Sequence, residues 1–111
     1  EISGDGTQTR DFIFVEDTAD ATVRAYQNRA AHGKTFNLSS GRETSVNTIV
    51  SQILKITNSK VPVRHIDMRP GDISRHCGDA TLARETLGFA PQCDLDFGLN
   101  RTIEWYRSQH G

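Results

Sequence analysis

The order of apolar and polar residues along this chain predicts short strands that alternate with amphipathic helices. Residues 12–15 form an apolar run of aromatic and branched side chains, which is typical of a short buried strand. A second strand is predicted at 35–38. A third extended segment covers 61–68, and Pro62 places it at a sheet edge because proline has no N–H to donate to a neighbouring strand.

The first predicted helix follows Asp17 and Thr18, two residue types that cap helix N-termini, and it ends at Gly33. Asp17 is best explained as a cap near the positive end of this helix. Apolar residues at helical spacing define the face that we expect to pack on the core. They are Ala19, Val23, Tyr26 and Ala30.

Three more helices are predicted, each after a residue that can cap it. They begin after Ser45, Asp79 and Asp94, and the first two of them end at 58–59 and at Gly88. Their expected core positions are, in chain order, Val46, Ile49, Val50, Ile53 and Leu54, then Leu82, Ala83 and Leu87, then Leu95, Leu99, Ile103 and Tyr106. This alternation of strands and helices implies an α/β architecture.

The length suits a single domain over residues 1–111, but three short strands are few for a self-sufficient sheet. We therefore expect the chain to be the end of a larger α/β protein. A net charge of -1, from 13 basic and 14 acidic residues, argues against a nucleic-acid-binding surface. No apolar stretch approaches the roughly 20 residues that span a membrane. Cys77 and Cys93 lack zinc-site spacing, so we expect free thiols in a reducing cytoplasm, with a disulfide as the alternative.

The strongest candidate for chemistry is Arg10, which a Gly4-Asp5-Gly6 turn delivers to the start of an apolar run. A guanidinium is a permanent cation with a planar fork of donors, which suits phosphate oxygens. The segment Arg69-Pro70-Gly71-Asp72 repeats this chemistry, since a Pro-Gly turn can point both charged side chains into one cleft. The plainer alternatives are a surface pair of Arg10 with Asp11 or Glu16, and a solvated turn at 69–72.

Other combinations of polar residues carry less weight. Ser74, His76 and Asp79 are close in sequence, but a nucleophile triad is recognised by geometry, so we set that interpretation aside. His65, His76, Cys77 and Cys93 lack the close spacing of metal ligands. Gln8 is expected to be solvated, and Asn37 to satisfy backbone groups in a turn. The larger aromatic residues are expected in the core: Phe12, Phe14, Phe36, Phe89 and Trp105. For Trp105 and Tyr106, contact with a partner subunit is the alternative.

Six segments, in order, resemble the C-terminal part of the extended short-chain dehydrogenase/reductase family. This family includes the NAD-dependent nucleotide-sugar epimerases and dehydratases, such as the UDP-glucose 4-epimerases. The matching segments are 4–12, 36–41, 69–72, 79–81, 87–91 and 98–105. The fold that this implies is the C-terminal substrate-binding portion of such an enzyme, with about four helices and a few short strands.

The resemblance also implies roles for four residues. In the family, the arginines at the positions of Arg10 and Arg69 contact the substrate diphosphate, and the aspartate at Asp72 accepts hydrogen bonds from ribose hydroxyls. His76 stands where family members line the sugar pocket with residues of varied size. A half-exposed histidine with no ligand is the alternative for His76.

The family's chemistry needs two elements that lie upstream of the matching region. One is a Gly-rich turn for NAD, and the other is a Tyr-x-x-x-Lys pair, which neither Tyr26 nor Tyr106 begins. We therefore expect a UDP- or dTDP-sugar-binding region that has no catalysis and no cofactor of its own. NAD, the upstream Rossmann part and a homodimer belong to the full-length cytoplasmic enzyme, while the chain alone is expected as a monomer. The alternative is a non-catalytic binding or interaction domain that keeps the fold.

Overall fold

The computed structural model describes residues 1–110, and within them it contains four α-helices and a few short strands, as predicted. The elements in chain order are β1 (Ile2–Ser3), β2 (Thr9–Arg10), α1 (Val15–Gln27), a 3₁₀ turn (Arg29–Ala31), β3 (Thr44–Ser45), α2 (Val46–Thr57), β4 (His65–Ile66), α3 (Thr81–Leu87) and α4 (Leu95–His110). Among the described residues, no helix is both long enough and apolar enough to cross a membrane.

The strands form two separate pairs. β1 runs parallel to β4, with Ile2 opposite His65. β2 runs antiparallel to β3, with Thr9 opposite Ser45 and Arg10 opposite Thr44. The second pair fixes the backbone of Arg10 and of the residue before it, so the sheet holds the first candidate residue in place.

The hydrophobic core is small and lies between α1 and α3. Its buried members are mostly alanines, which let the two helices approach closely. No large side chain within residues 1–110 is fully buried. The core consists of Ala21, Ala31, Ala80, Ala83, Leu87 and Phe89, with Ile13, Ala25, Phe36 and Leu38 packed against it.

The face of α1 that the sequence predicts to be buried is exposed. The helix begins at Val15, before the predicted caps, and its buried residues are Asp17 and Ala21. Tyr26 is 85% exposed. The prediction was wrong because α3 packs against the side of α1 that carries Ala21. The residues predicted to be buried are exposed, and the last of them lies beyond the end of the helix: Ala19, Val23, Tyr26 and Ala30.

Two of the three predicted strands are absent from the described residues. Residues 11–14 and 35–38 are irregular, and of the 61–68 segment only His65–Ile66 pairs with another strand. A strand needs a neighbour for its backbone groups. Within residues 1–110, no strand pairs with residues 11–14 or 35–38.

The later helices follow the prediction more closely. The Ser45 hydroxyl accepts a hydrogen bond from the Thr48 amide and caps α2, which ends at Asn58 in the left-handed conformation. Asp94 accepts from the Phe97 amide at the start of α4 (2.8 Å), and Gly88 ends α3 with φ +63°. Asp79 lies one residue before the observed N-cap of α3, so its carboxylate bonds the Thr81 amide without capping the helix.

Several predicted core side chains lie at the surface instead. Trp105 is 61% exposed, which contradicts its assignment to the core. Phe89 is buried as predicted, and Phe14 packs edge-to-face against Phe97. Apart from the predicted face of the first helix, the other predicted core residues that are exposed are Phe12, Leu82 and Tyr106.

Candidate functional site

The glycine turn before Arg10 is packed against α2. Gly4 and Gly6 have φ values of +72° and +77°, which side chains other than glycine rarely adopt. The Asn47 side chain fills the space beside Gly6 and donates to the Asp5 carbonyl (3.0 Å). Side-chain and backbone hydrogen bonds from Thr7 lower the pKa of Asp5. The turn is therefore held by Asn47 of α2 and by the hydrogen bonds between Thr7 and Asp5, and it sets the path of the chain into β2.

We expect Gly6→Ala to destabilise the chain by more than the roughly 1–2 kcal/mol that a left-handed residue costs. An added Cβ would lie 2.0 Å from Asn47 Oδ1, so the Asn47 side chain must also move, which disturbs its hydrogen bond to the Asp5 carbonyl. Urea unfolding measures the loss. Gly41→Ala is the matched control, because Gly41 has a φ of +73° and open space around it. Equal losses of unfolding free energy in Gly6→Ala and Gly41→Ala would contradict the close packing of Asn47 against Gly6.

Arg10 and Asp72 form an ion pair between two family segments that are 62 residues apart. Arg10 Nη2 lies 2.6 Å from Asp72 Oδ1, with 32% and 24% of the two side chains exposed. Arg10 Nη1 donates to the carbonyls of Ile73 (2.6 Å) and Thr9 (2.7 Å). The partner of Arg10 is therefore Asp72 rather than Asp11 or Glu16.

Arg69 is exposed next to this pair. Its backbone N–H donates to the Ser3 hydroxyl (3.1 Å), and its carbonyl accepts from the Asp72 amide (3.1 Å). Within residues 1–110, its guanidinium makes no hydrogen bond or ion pair. The turn at 69–72 thus carries one paired carboxylate and one exposed cation.

A second ion pair holds the segment that follows Asp72. Arg75 donates to both oxygens of the Glu43 carboxylate, at 3.1 Å and 2.5 Å. Glu43 also accepts from the Thr9 hydroxyl (2.7 Å), and the Thr9 amide donates to the Ser74 carbonyl (2.9 Å). The hydrogen bonds from Arg75 and then Thr9 lower the pKa of Glu43 to about 2. Sequence reasoning missed Glu43, since its partners lie more than thirty residues away.

Asp11 joins three segments of the chain. Its Oδ1 accepts from the Ser40 amide (2.8 Å) and hydroxyl (2.5 Å), and its Oδ2 accepts from the amides of Gly41 (2.9 Å) and Gly78 (3.2 Å). Burial acts to raise the pKa of Asp11, but the hydrogen bonds from Ser40, Gly78 and Gly41 together lower it. The sequence suggested Asp11 only as a partner for Arg10, which is wrong.

His76 is exposed at a cavity of about 390 Å³. Asp11, Asn37 and Asp79 also line this cavity, whereas Arg10, Arg69 and Asp72 are not among its lining residues. The structure therefore brings Arg10, Asp72 and the Arg69 turn together but places His76 at a separate cavity on the same segment.

Two further sequence interpretations change. Asp17 does not cap α1: it lies in the first turn, and its buried carboxylate accepts from the amides of Gln92 (2.9 Å) and Cys93 (3.1 Å). Gln8 is buried rather than solvated, and its amide donates to the Ser3 carbonyl (2.7 Å). Both side chains therefore serve the fold.

The remaining candidate chemistry is not assembled in the part of the chain that the structure describes. Asp79 bonds Thr81 rather than His76. No group of three or more histidine, cysteine, aspartate or glutamate side chains in residues 1–110 is placed to hold a metal ion. Cys77 and Cys93 are free.

The fold is shared with solved epimerases. An epimerase from Methanothermobacter thermautotrophicus is 33% identical with a TM-score of 0.94, over 98% of this chain and 33% of that one. A Bacillus cereus UDP-glucuronic acid 4-epimerase in complex with UDP-glucuronic acid and NAD is 28% identical with a TM-score of 0.89, over 97% of this chain and 35% of that one.

Sequence comparison defines the family. A UDP-glucose 4-epimerase from Mycolicibacterium smegmatis is 38% identical over 109 residues, which are 98% of this chain and 34% of the relative. A model of the GDP-mannose 4,6-dehydratase family matches residues 1–102, and the chain belongs to this family of epimerases and dehydratases. The chain spans about a third of the length of the curated relatives that it matches.

Proposed function

We propose that this chain is the nucleotide-sugar-binding region of an NAD-dependent epimerase or dehydratase that acts on a UDP- or dTDP-sugar. The observation that carries the proposal is the contact between Arg10 and Asp72, which joins two family segments beside the exposed Arg69. Arg10 and Arg69 bind the diphosphate, and Asp72 accepts hydrogen bonds from the ribose hydroxyls. The UDP-glucuronic acid held by the Bacillus cereus relative supports this substrate class.

In this proposal the chain contributes binding and orientation rather than the chemical step. A diphosphate anchored by two guanidinium groups holds the unreactive end of the substrate. Binding energy from such a remote group positions the carbon that reacts. His76 faces the sugar and limits which substituents fit; in this proposal the sugar extends from the diphosphate at Arg10 to the separate cavity at which His76 is exposed.

NAD accepts and returns a hydride in such enzymes, but the residues of this chain do not fit it. A dinucleotide site needs glycines that leave the backbone open to a pyrophosphate at a helix N-terminus. Here the space beside Gly6 is filled by Asn47, and the glycine turn leads into β2 rather than into the N-terminus of a helix. The cofactor site therefore belongs to an upstream Rossmann part.

The surface of the chain supports such an upstream partner. The apolar face of α1 is exposed, and the core contains mostly alanines. An exposed apolar face of this kind marks an interaction surface. We assign it to the Rossmann part of the same enzyme, since the chain covers only 33% of the Methanothermobacter epimerase. We also propose that the full-length enzyme is a homodimer and lies in the cytoplasm. The free cysteines support the cytoplasmic location.

The test is an NMR titration of the 111-residue chain with UDP. We expect the backbone amides around Arg10 and the 69–72 turn to shift, and NAD to cause no shift. Arg69→Ala should weaken UDP binding by about 1.5–3 kcal/mol, the worth of a hydrogen bond to a charged group.

Arg64→Ala is the matched control, because Arg64 is exposed on the same segment and its guanidinium lies 3.8 Å from the Glu1 carboxylate. It should leave the affinity for UDP unchanged. Shifts that avoid Arg10, Arg69 and Asp72, or an Arg69→Ala variant with full affinity, would contradict the assignment of the site.

A further inference from the structure

We propose that Glu43 is a positioning residue for sugar selectivity: its ion pair with Arg75 holds the neighbouring His76 in one place against the sugar. Glu43 acts through His76 and does not touch the substrate. The inference rests on the proposed function, in which His76 limits the substituents that fit. It adds the residue that makes this limit strict.

His76 lies in a stretch of chain whose path is set by a few hydrogen bonds. Residues 73–78 have no regular secondary structure. Within residues 1–110, His76 itself makes no hydrogen bond, whereas Arg75 before it and Gly78 after it are both bonded to other segments. The position of His76 at its cavity therefore depends on what holds Arg75 and Gly78.

Both flanking residues are held by one loop, residues 39–43. On one side, Arg75 donates to both oxygens of the Glu43 carboxylate, at 3.1 Å and 2.5 Å. On the other side, Gly78 packs against the buried Ser39 so closely that an added Cβ would lie 2.5 Å from the Ser39 Cβ. The loop therefore contacts the chain both before and after the histidine.

The loop is itself anchored, which makes it a fixed support. The Asp11 carboxylate accepts from the amides of Ser40 and Gly41, and β3 follows the loop directly and pairs with β2. Glu43 also accepts from the Thr9 hydroxyl of β2 (2.7 Å), and only 25% of its side chain is exposed. Its carboxylate is therefore held in one orientation, and a guanidinium that meets it with two nitrogens is oriented as well.

The ion pair should affect selectivity more than stability. The Arg75 side chain is 79% exposed, and exposed ion pairs contribute little to the free energy of unfolding. Without the pair, the nearest backbone hydrogen bonds on either side of His76 would be those of Ser74 and Gly78. His76 can then turn away from a bulky sugar substituent. The chain would stay folded but would distinguish sugars less well.

The experiment measures the binding of UDP, UDP-glucose and UDP-N-acetylglucosamine to the 111-residue chain by calorimetry. The two sugars differ in the size of one substituent. In the wild type their affinities should differ about tenfold, the lower end of what one group is worth in a fitted pocket. Glu43→Gln and Arg75→Ala both break the ion pair, and both should reduce the difference to about twofold. The midpoint of urea unfolding should not change.

The two substitutions separate position from charge. Glu43→Gln removes a negative charge and Arg75→Ala removes a positive one, so an effect of charge alone would move the two variants in opposite directions. Loss of the ion pair moves both the same way, and the double variant should show no further change because both substitutions remove one contact. Glu104→Gln is the control, since Glu104 pairs with Arg101 on the surface of α4 (3.7 Å) and should leave the sugar ratio unchanged.

A second measurement reports on His76 directly. NMR relaxation of its backbone amide should match that of the helices in the wild type and show faster motion in Glu43→Gln and Arg75→Ala. If UDP binds but the two variants keep the wild-type sugar ratio, move it in opposite directions or leave the His76 amide as rigid as before, the positioning role is wrong and the proposed nucleotide binding stands. A wild type that does not distinguish the two sugars would overturn the role of His76 and this inference together. If UDP does not bind the wild type, the proposed function falls and this inference falls with it.

Discussion

Arg10→Ala is expected to weaken UDP binding about a hundredfold, or about 3 kcal/mol, which is the upper end for hydrogen bonds to charged groups. Two losses combine in this variant. The diphosphate loses a guanidinium, and the Asp72 carboxylate, which is 24% exposed, loses its ion-pair partner. The unpaired Asp72 carboxylate would then repel the negatively charged ligand. The effect should therefore exceed that of Arg69→Ala, whose guanidinium has no partner to abandon within residues 1–110.

Arg10→Lys separates charge from geometry. A lysine keeps the positive charge, but its compact ammonium cannot bridge Ile73, Thr9 and Asp72 as the planar guanidinium does. We expect affinity between that of the wild type and that of Arg10→Ala. Dissociation constants from calorimetry, with the dispersion of amide signals as the check on folding, measure both variants. A well-folded Arg10→Ala variant that binds UDP like the wild type would remove Arg10 from the site.

Local signals in the sequence were enough to place the start of α2 and the ends of α2 and α3. The Ser45 cap and the left-handed Asn58 bound α2 because both act through backbone groups within a few residues. Gly88 ends α3 for the same reason. Each of these features depends on short-range geometry, which a single sequence displays directly.

Features that depend on a neighbour were not predictable. The apolar run at 12–15 has strand composition, yet it forms no ladder because no described strand pairs with it. The face of α1 was assigned from its larger apolar residues, whereas Ala21 faces α3 in the structure. Both features depend on which elements pack against these residues, and the sequence of the residues themselves does not display this.

The residues of the candidate site likewise include some that the sequence indicated and others that it did not. Family resemblance, and not spacing, indicated that Arg10 and Asp72 serve one site, and the structure brings them into contact. Nothing in the sequence around Glu43 marks it as the partner of Arg75, and Asp17 looked like a helix cap although its carboxylate bonds the 92–93 loop. Charged residues with partners 30 to 75 positions away are recognised only once the chain is folded.

The largest effect on stability is expected at Asp11. Asp11→Asn should lower the free energy of unfolding by about 2–4 kcal/mol, because a carboxylate that accepts four hydrogen bonds from N–H and O–H donors, and a longer one from the Cys77 thiol, is replaced by an amide with a single acceptor oxygen. If the amide nitrogen faces Gly41 and Gly78, it meets two N–H donors. If it faces Ser40, it meets one N–H donor and a hydroxyl that can reverse its role. Either orientation leaves at least one donor without a partner.

The same substitution should change how stability depends on pH. The folded-state pKa of Asp11 lies below its ordinary value of 3.8, since the hydrogen bonds outweigh the burial that acts to raise it. A carboxyl with a depressed pKa contributes stability that is present above its unfolded pKa and is lost as the pH falls through the folded pKa. The difference in unfolding free energy between the wild type and Asp11→Asn should therefore be constant at neutral pH and shrink below about pH 4.

Urea unfolding between pH 2 and pH 7 measures this difference, and taking the difference cancels the other carboxylates. Asp20→Asn provides the control: Asp20 forms an exposed ion pair with Arg24 on α1, and such pairs are worth about 0.3–0.5 kcal/mol. Equal losses for Asp11→Asn and Asp20→Asn, or a difference that does not change with pH, would show that Asp11 does not join these segments. The expected result would establish that the hydrogen bonds of Asp11 hold the segment leading to His76 in place.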